Sequence, residues 1–176
     1  MNESRIDRLY SEGKALLDFL SEHKEYSFRN DADNVLKKNL LMAAASYFEK
    51  EIQNIILGFI AECSKNNILI VEFTKNKAIK RQYHTYFDWD AINANAFLGL
   101  FGKEFKDAVI KDVGGNEELK NSIKNFMELG QMRNMLTHND FASYSLDKDM
   151  TEVYMMYKSA RQFTDYLVSA LTKNIK

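Results

Sequence analysis

The sequence contains no proline, one cysteine and seven glycines among its 176 residues. Average usage would give roughly nine prolines in a chain of this length. Proline is excluded from helix interiors because it lacks an N–H group and clashes with the preceding turn. Sandwiches and barrels need frequent turns, which proline and glycine usually supply. The composition therefore predicts uninterrupted helices and argues against an all-β fold.

Disulfides, long apolar runs and a signal peptide are also missing. Cys63 is the only cysteine, and the Cys/His spacing of a zinc site is absent, so we expect no metal or other cofactor. In phase with Phe59 and Ile56, Cys63 is predicted to be a buried thiol. The longest apolar run, 40–48, is shorter than the ~20 residues that cross a bilayer. The charged start MNESRIDR does not resemble a signal peptide, so we expect a cytoplasmic protein without membrane contact.

The chain has what a folded domain needs. Hydrophobic residues make up 45% and charged residues 28% of the sequence, which argues against disorder. No linker or repeat divides it, so a single domain over residues 1–176 is expected. The net charge of −1 gives no global attraction to nucleic acid. Any RNA binding would therefore depend on a local basic patch.

Apolar residues at steps of three and four predict four long helices. Asp31 is the expected N-cap of the second helix, after a loop at 26–30, and Asn116 is the expected N-cap of the third. The third helix should end at Leu136 or His138, followed by a loop at 139–147. The predicted spans are 1 to about 24, 31 to about 64, 116 to about 138, and 149 to about 173.

A shorter helical insertion, residues 66–115, separates the second and third long helices. Residues 68–83 begin apolar and become basic; a helix is favoured over an extended run followed by a helix. Asp90 is a possible N-cap for a short helix through Phe101, closed by Gly102. The sequence thus predicts an all-α fold, a four-helix up-and-down bundle with a helical insertion.

The third long helix changes character along one face. Projected at 100° per residue, its inward face begins with Leu119, Ile123, Phe126 and Gly130. Two turns later the same face carries Arg133, Asn134, Thr137 and His138. Charged groups on a core-facing stripe are costly unless they are paired or line a cleft. Alternatively, Arg and His near a helix C-terminus simply favour the helix dipole.

The segment Arg133-Asn134-Met135-Leu136-Thr137-His138 resembles the Arg-x4-6-His motif of the HEPN superfamily. These are helical-bundle proteins, many of them metal-independent ribonucleases, with the motif at the end of the third long helix. The segment SYFEKEI, 46–52, is similar to the second helix of the RiboL-PSP subfamily. FLGLFG, 97–102, is loosely similar to a short element of related proteins. The resemblance covers about residues 4–172.

The residue types suit RNA cleavage without metal. The ribose 2′-OH attacks the adjacent phosphate, so one group must take its proton, another must protonate the leaving 5′-oxygen, and a cation must stabilise the phosphorane. Histidine suits either proton transfer near neutral pH. Arginine is always charged and its planar fork matches phosphoryl oxygens. Asn134 lies one helical turn before His138 and is positioned to orient its imidazole.

The resemblance implies a function for these residues. His138 would be the general acid or base, Arg133 the transition-state stabiliser and Asn134 the orienter. Glu49 would line the cleft from the second helix; alternatively it is a boundary residue that reaches solvent. RNA would be the substrate, and a homodimer would form a composite active site. Such proteins often act as toxins or defence effectors, which implies a possible antitoxin or other regulatory partner.

A basic run in the insertion is the best candidate RNA-binding patch. Interleaved basic and aromatic residues can hold phosphates and stack on unpaired bases. A solvated helical face is the alternative. Two other functions also stay open for the chain: a non-catalytic RNA- or nucleotide-binding or protein-interaction dimer, and a structural bundle in which Arg133 and His138 form ion pairs. The residues of the patch are Lys75, Lys77, Lys80, Arg81 and His84.

Overall fold

The computed structural model describes residues 4–173. Within them lie eight α-helices and one π-helical turn, Lys75–Ile79, and no strand. The all-α class predicted from the sequence is confirmed. The α-helices are α1 (Arg5–Glu22), α2 (Tyr26–Cys63), α3 (Ile68–Thr74), α4 (Tyr83–Tyr86), α5 (Asn95–Gly99), α6 (Lys103–Gly114), α7 (Glu117–His138) and α8 (Met150–Thr172).

Helices α1, α2, α7 and α8 form the bundle, and α3 to α6 belong to the insertion. α2 contacts the other three long helices, and α7 packs most extensively against α8. The centre is aromatic: Phe126 of α7 lies 5.3 Å from the Phe48 ring and 5.1 Å from the Phe163 ring, centroid to centroid. No helix in residues 4–173 is both long and apolar enough to cross a bilayer.

The long helices begin where side chains can satisfy free backbone N–H groups. Ser4 and Asp149 each form a reciprocal capping box, the latter with Glu152. The Asn116 side chain accepts from the Leu119 N–H at 3.0 Å. The predicted spans of α7 and α8 are confirmed to within a residue or two. The predicted start of the first helix at Met1 lies outside the described residues.

The predicted start of α2 is wrong. Asp31 is not its N-cap, and residues 26–30 are helical instead of a loop. The chain reverses in a tight turn at Lys24, whose φ is 58°, and Glu25 donates its N–H to the Leu20 carbonyl at 2.9 Å. Because this backbone turn lets the helix restart at once, α2 gains an extra turn and a half without a capping side chain.

The insertion is more broken than predicted. The single helix over 68–83 is interrupted after the π-helical turn, because Lys80 is extended and Arg81 has a φ of 62°. Of the helix predicted from Asp90 through Phe101, only α5 is helical. Asp90 instead donates its N–H to the Asp88 carboxylate at 3.3 Å within a turn. The glycine at 102 does separate α5 from α6, with a φ of 96°.

Cys63 is exposed, so the prediction of a buried thiol is wrong. The apolar stripe of α2 is buried through Ile55, while Phe59 is only partly buried. Cys63 continues this face at the last residue of the helix, where no other element covers it. Periodicity identifies a face, but a face is buried only where another element packs on it.

Candidate active site

The Arg-x4-His segment forms the last turns of α7. Leu119, Ile123 and Phe126 are buried, as the predicted inward face requires. Farther along that face, Arg133 is half-buried, whereas His138 is exposed as the last residue of the helix. Neither side chain forms an ion pair with any described residue, contrary to the structural-bundle alternative. Neither is therefore engaged by a carboxylate of the described residues.

Asn134 contacts Arg133 and not His138. Its Oδ1 accepts a hydrogen bond from Arg133 Nη1 at 3.1 Å. The predicted hydrogen bond from Asn134 to the His138 imidazole is not formed within the described part of the chain. The helix places both neighbours within reach of Asn134, and the guanidinium is the stronger donor because it is charged. Asn134 thus fixes the cation, leaving the imidazole free.

These side chains open into a cleft of about 390 Å³, here called the polar cleft. Small-molecule pockets span roughly 300–1,000 Å³, so it has room for one nucleotide-sized group. All four residues predicted as catalytic line it, together with Arg81 and His84 of the predicted RNA-binding set. Its lining residues are Glu49, Arg81, Tyr83, His84, Arg133, Asn134 and His138.

The polar cleft has two walls and a flank. The α7 wall consists of Arg133, Asn134 and His138. The insertion wall consists of Arg81, Tyr83 and His84, and Glu49 of α2 lies at the side. Two arginines and one carboxylate give the cleft a local positive balance, which the nearly neutral chain lacks as a whole. Such a local balance favours a phosphate ligand.

The insertion wall is held in place by aromatic packing and two hydrogen bonds to carbonyls. The Tyr86 hydroxyl donates to the Ala78 carbonyl, and Trp89 Nε1 donates to the His84 carbonyl at 3.1 Å. The Tyr83 ring packs 5.8 Å from Phe87 and 5.7 Å from Trp89, centroid to centroid. The backbone around the cleft-facing residues is thereby fixed to the protein interior.

Gly130 allows this wall to approach α7. A methyl group at this position would lie 1.9 Å from Cζ3 of Trp89, closer than any real contact. Trp89 therefore packs directly on the α7 backbone. Both residues line a smaller cavity that shares several lining residues with the polar cleft. The sequence marks Gly130 only as part of the inward face, whereas the structure shows why no side chain fits.

Tyr83 is a cleft residue that the sequence analysis did not select. Burial raises the pKa of its hydroxyl well above the usual range; the Glu49 carboxylate raises it further, and Arg133 opposes the effect. The hydroxyl thus stays protonated and able to donate. It forms no hydrogen bond with the described residues, and its one sequence signal is the aromatic cluster around His84.

Three residues of the predicted RNA-binding run lie outside the cleft. Lys75, Lys77 and Lys80 are exposed and do not line it. Lys75 pairs with Glu72 at 3.2 Å, just before the run. Because the helix breaks at Lys80, only the following residues turn toward α7. The structure thus divides the predicted run into surface lysines and the cleft residues Arg81 and His84.

Lys38 is a second feature that the sequence analysis missed. Its side chain is 2% exposed, and its ammonium donates to the carbonyls of Phe141 and Ala142 at 2.8 and 3.3 Å. Lys37 similarly reaches the Leu146 carbonyl at 3.0 Å. A buried ammonium is tolerated only when it is well hydrogen-bonded. These two lysines tie the loop that follows His138 to α2.

The residues of the cleft do not form a metal site. Among residues 4–173 there is no group of three or more His, Cys, Asp or Glu side chains suited to hold a metal ion. The cleft offers cations and hydrogen-bond donors, with Glu49 as its single carboxylate. That set of side chains suits an anionic ligand.

A helical bundle whose third long helix ends with an Arg-x4-His segment in a polar cleft defines a HEPN-type protein. The family model described as RiboL-PSP-HEPN matches residues 7–173, and the chain belongs to this family. The predicted resemblance is confirmed over nearly the whole chain. Membership supports a role in RNA cleavage or nucleotide binding. Neither a curated protein nor a solved structure matches the chain.

Proposed function

We propose that this protein is a metal-independent endoribonuclease. The observation that carries the proposal is the polar cleft, which joins Arg133 and His138 of α7 with Glu49 and with two cationic or titratable residues of the insertion. The ribose 2′-OH attacks the adjacent phosphorus, and the bond from phosphorus to the 5′-oxygen breaks. The products are a 2′,3′-cyclic phosphate and a 5′-hydroxyl.

Each residue of the α7 wall has a role in this reaction. Arg133 holds the phosphoryl oxygens and stabilises the charge that develops on them, as positioned cations do in phosphoryl transfer. Asn134 fixes its guanidinium through the 3.1 Å hydrogen bond. His138 transfers a proton to or from an oxygen of the substrate. Glu49 contributes a carboxylate that orients substrate hydroxyls or the cations around it.

The test is cleavage of single-stranded RNA by purified protein in EDTA. We expect 2′,3′-cyclic phosphate ends, and a loss of activity of about 100-fold or more for His138→Ala. His23→Ala is the matched control, because His23 lies at the end of α1 outside the cleft and bonds the Phe19 carbonyl. Equal rates for His138→Ala and wild type would refute the proposal.

We further propose that the enzyme acts in the cytoplasm as a homodimer and serves as a toxin or defence effector restrained by a partner protein. The support is the family resemblance together with the open cleft, in which Arg133 and His138 form no ion pair with a described residue. Expression of the wild type in a bacterial host should arrest growth, while His138→Ala at the same level should not. Arrest by both proteins would contradict this role.

Binding without cleavage is the second candidate function. It is favoured by Arg81 and the aromatic insertion wall, which suit a phosphate and a stacked base. In that case wild type would bind RNA in a salt-dependent manner without cutting it. Neutralising Lys75, Lys80 and Arg81 would weaken binding. Of these three substitutions we expect Arg81→Ala to have the largest effect, because Lys75 and Lys80 do not line the cleft and Arg81 does.

A further inference from the structure

The polar cleft contains two histidines of the same chain. His138 is the last residue of α7, and His84 lies in α4 on the insertion wall. Both side chains are exposed, and neither forms a hydrogen bond with a described residue. The motif by itself supplies a single histidine, so the second comes from the insertion.

The cleavage reaction needs proton transfer on two sides of the phosphorus. The attacking 2′-oxygen and the leaving 5′-oxygen lie roughly in line, on opposite sides. A base and an acid on the same helix turn would face only one of these oxygens. His84 and His138 instead come from two separate elements, α4 and α7, and line the same cleft as Arg81 and Arg133.

The backbone of His84 is fixed while its imidazole is free. Its carbonyl accepts from Trp89 Nε1 at 3.1 Å, and Tyr86, two residues later, is buried with its hydroxyl bonded to the Ala78 carbonyl. A reactive group needs this combination of a held backbone and an unengaged side chain. The charged or titratable groups that line the cleft together with it are Glu49, Arg81, Tyr83, Arg133 and His138.

We propose that His84 is the second proton-transfer group of the active site and works with His138 of the same chain. One imidazole, neutral, takes the 2′-OH proton as the bond between the 2′-oxygen and phosphorus forms. The other, protonated, gives its proton to the 5′-oxygen as the bond from phosphorus to that oxygen breaks. Solvent then restores both protonation states. The proposal rests on the proposed ribonuclease function.

This assignment differs from the composite site that the family resemblance implies. In a composite site the second imidazole would be His138 of the partner subunit, and His84 would only bind RNA. Here each chain holds a complete acid and base pair. A homodimer would then bring two complete sites together, and dimerisation would not be required for the proton transfers.

The first experiment compares His84→Ala, His84→Gln and His138→Ala with His23→Ala in RNA cleavage by the full chain. We expect both His84 variants to lower kcat about 100-fold or more with KM nearly unchanged, and to lose one limb of the bell-shaped pH profile. Glutamine keeps hydrogen-bonding capacity but transfers no proton. A rise in KM alone, or activity of His84→Gln near that of wild type, would overturn the proposal.

A substrate with sulfur in place of the leaving 5′-oxygen identifies the acid. A thiolate leaves without protonation, so this RNA should restore the cleavage rate of the variant that lacks the acid and not of the variant that lacks the base. We expect one of His84→Ala and His138→Ala to be rescued. Rescue of both or of neither would show that the two histidines do not act as an acid and base pair.

Mixing the two inactive variants tests whether the pair belongs to one chain. We expect no recovery from His84→Ala combined with His138→Ala, because every chain then lacks one group. Recovery on mixing would place the pair on different chains and overturn the inference. If wild type itself does not cleave, the proposed function fails; if His84→Ala cleaves like wild type while His138→Ala does not, only this inference fails.

Discussion

The two walls of the polar cleft are built in different ways. The α7 wall belongs to a continuous helix of 22 residues, and its three polar residues follow from the helical repeat once their spacing is known. The insertion wall consists of a positive-φ residue, Arg81, and two residues of a four-residue helix, and aromatic side chains hold it. One wall depends on local structure and the other on long-range packing, so substitutions should affect them differently.

The largest difference is expected between the two arginines. Arg133→Ala should lower kcat about 100- to 1,000-fold, because it removes the cation that stabilises the transition state. Arg81→Ala should mainly raise KM, since under the proposed function Arg81 binds the RNA strand and does not stabilise the transition state. Steady-state RNA cleavage measures both effects. Equal losses of kcat would show that both arginines stabilise the transition state.

The approach of the walls depends on Gly130. Gly130→Ala should lower the free energy of unfolding by about 1–3 kcal/mol, because the added methyl group overlaps Trp89. Trp89 is the only tryptophan, so its fluorescence reports directly on the insertion wall. We expect red-shifted emission in the folded variant together with reduced cleavage.

Gly58→Ala is the matched control for Gly130→Ala. Gly58 lies in α2, and nothing stands within 4 Å of an added methyl group. Alanine favours a helix interior over glycine by about 1 kcal/mol, so this variant should be slightly more stable than wild type. Urea denaturation compares the two. Similar stability of both variants would show that the packing of Trp89 on α7 does not require a glycine at position 130.

The loop after the α7 wall depends on Lys38. Lys38→Met should lower the free energy of unfolding by about 1–3 kcal/mol, because it leaves the carbonyls of Phe141 and Ala142 without their donor. Lys124→Met, on the exposed surface of α7, should stay within about 0.5 kcal/mol of wild type. Hydrogen exchange should speed up in residues 139–149 of the Lys38 variant alone.

The smallest effect is expected away from both walls, at Asp7 of α1. Burial by itself would raise the pKa of Asp7, but hydrogen bonds from the Ser4 backbone N–H and the Tyr154 hydroxyl, together with Lys158, lower it to about 2. A carboxylate with a lowered pKa stabilises the fold above its unfolded-state value of about 4, and this contribution is lost as the pH falls toward 2.

Asp7→Asn should therefore cost about 1 kcal/mol at pH 7, after allowance for solvent screening. The difference from wild type should shrink as the pH falls below about 4. Urea denaturation across this range measures it, with Asp107→Asn on the exposed surface of α6 as control. RNA cleavage at neutral pH should not change. A loss of cleavage would show that the α1–α8 contact influences the cleft.

The helices of the bundle were largely predictable because their signals are local. Asn116 caps α7 as predicted, α8 begins within one residue of its predicted start, and the apolar residues Leu119, Ile123 and Phe126 are buried. The start of α2 was not predictable from capping, since a backbone turn at Lys24 replaces a side-chain cap. The prediction that Cys63 is buried was wrong for another reason. Its spacing places it on the apolar face of α2, but no described element covers the C-terminal end of that helix.

The residues of the candidate site likewise include some that the sequence predicted and some that it did not. The polar residues of α7 are evident from a helical projection, which needs only the sequence. That Glu49 shares their cleft is suggested by the family resemblance and depends on how α2 packs against α7. Tyr83 was marked only by the aromatic cluster around His84, and Lys38 gave no signal, because a lysine in a helix becomes informative only through its neighbours.

By itself, the sequence determined the four long helices, apart from the start of α2, and the position of the Arg-x4-His segment, since hydrogen bonds and side-chain contacts within a helix join residues three or four apart. The absence of proline leaves these helices unbroken. Only the tertiary structure decided that Arg81, Tyr83 and His84 face Arg133 and His138. That arrangement depends on a helix break at Lys80 and on the packing of Trp89 against Gly130. Trp89 and Gly130 are about forty positions apart, and no local pattern encodes their contact.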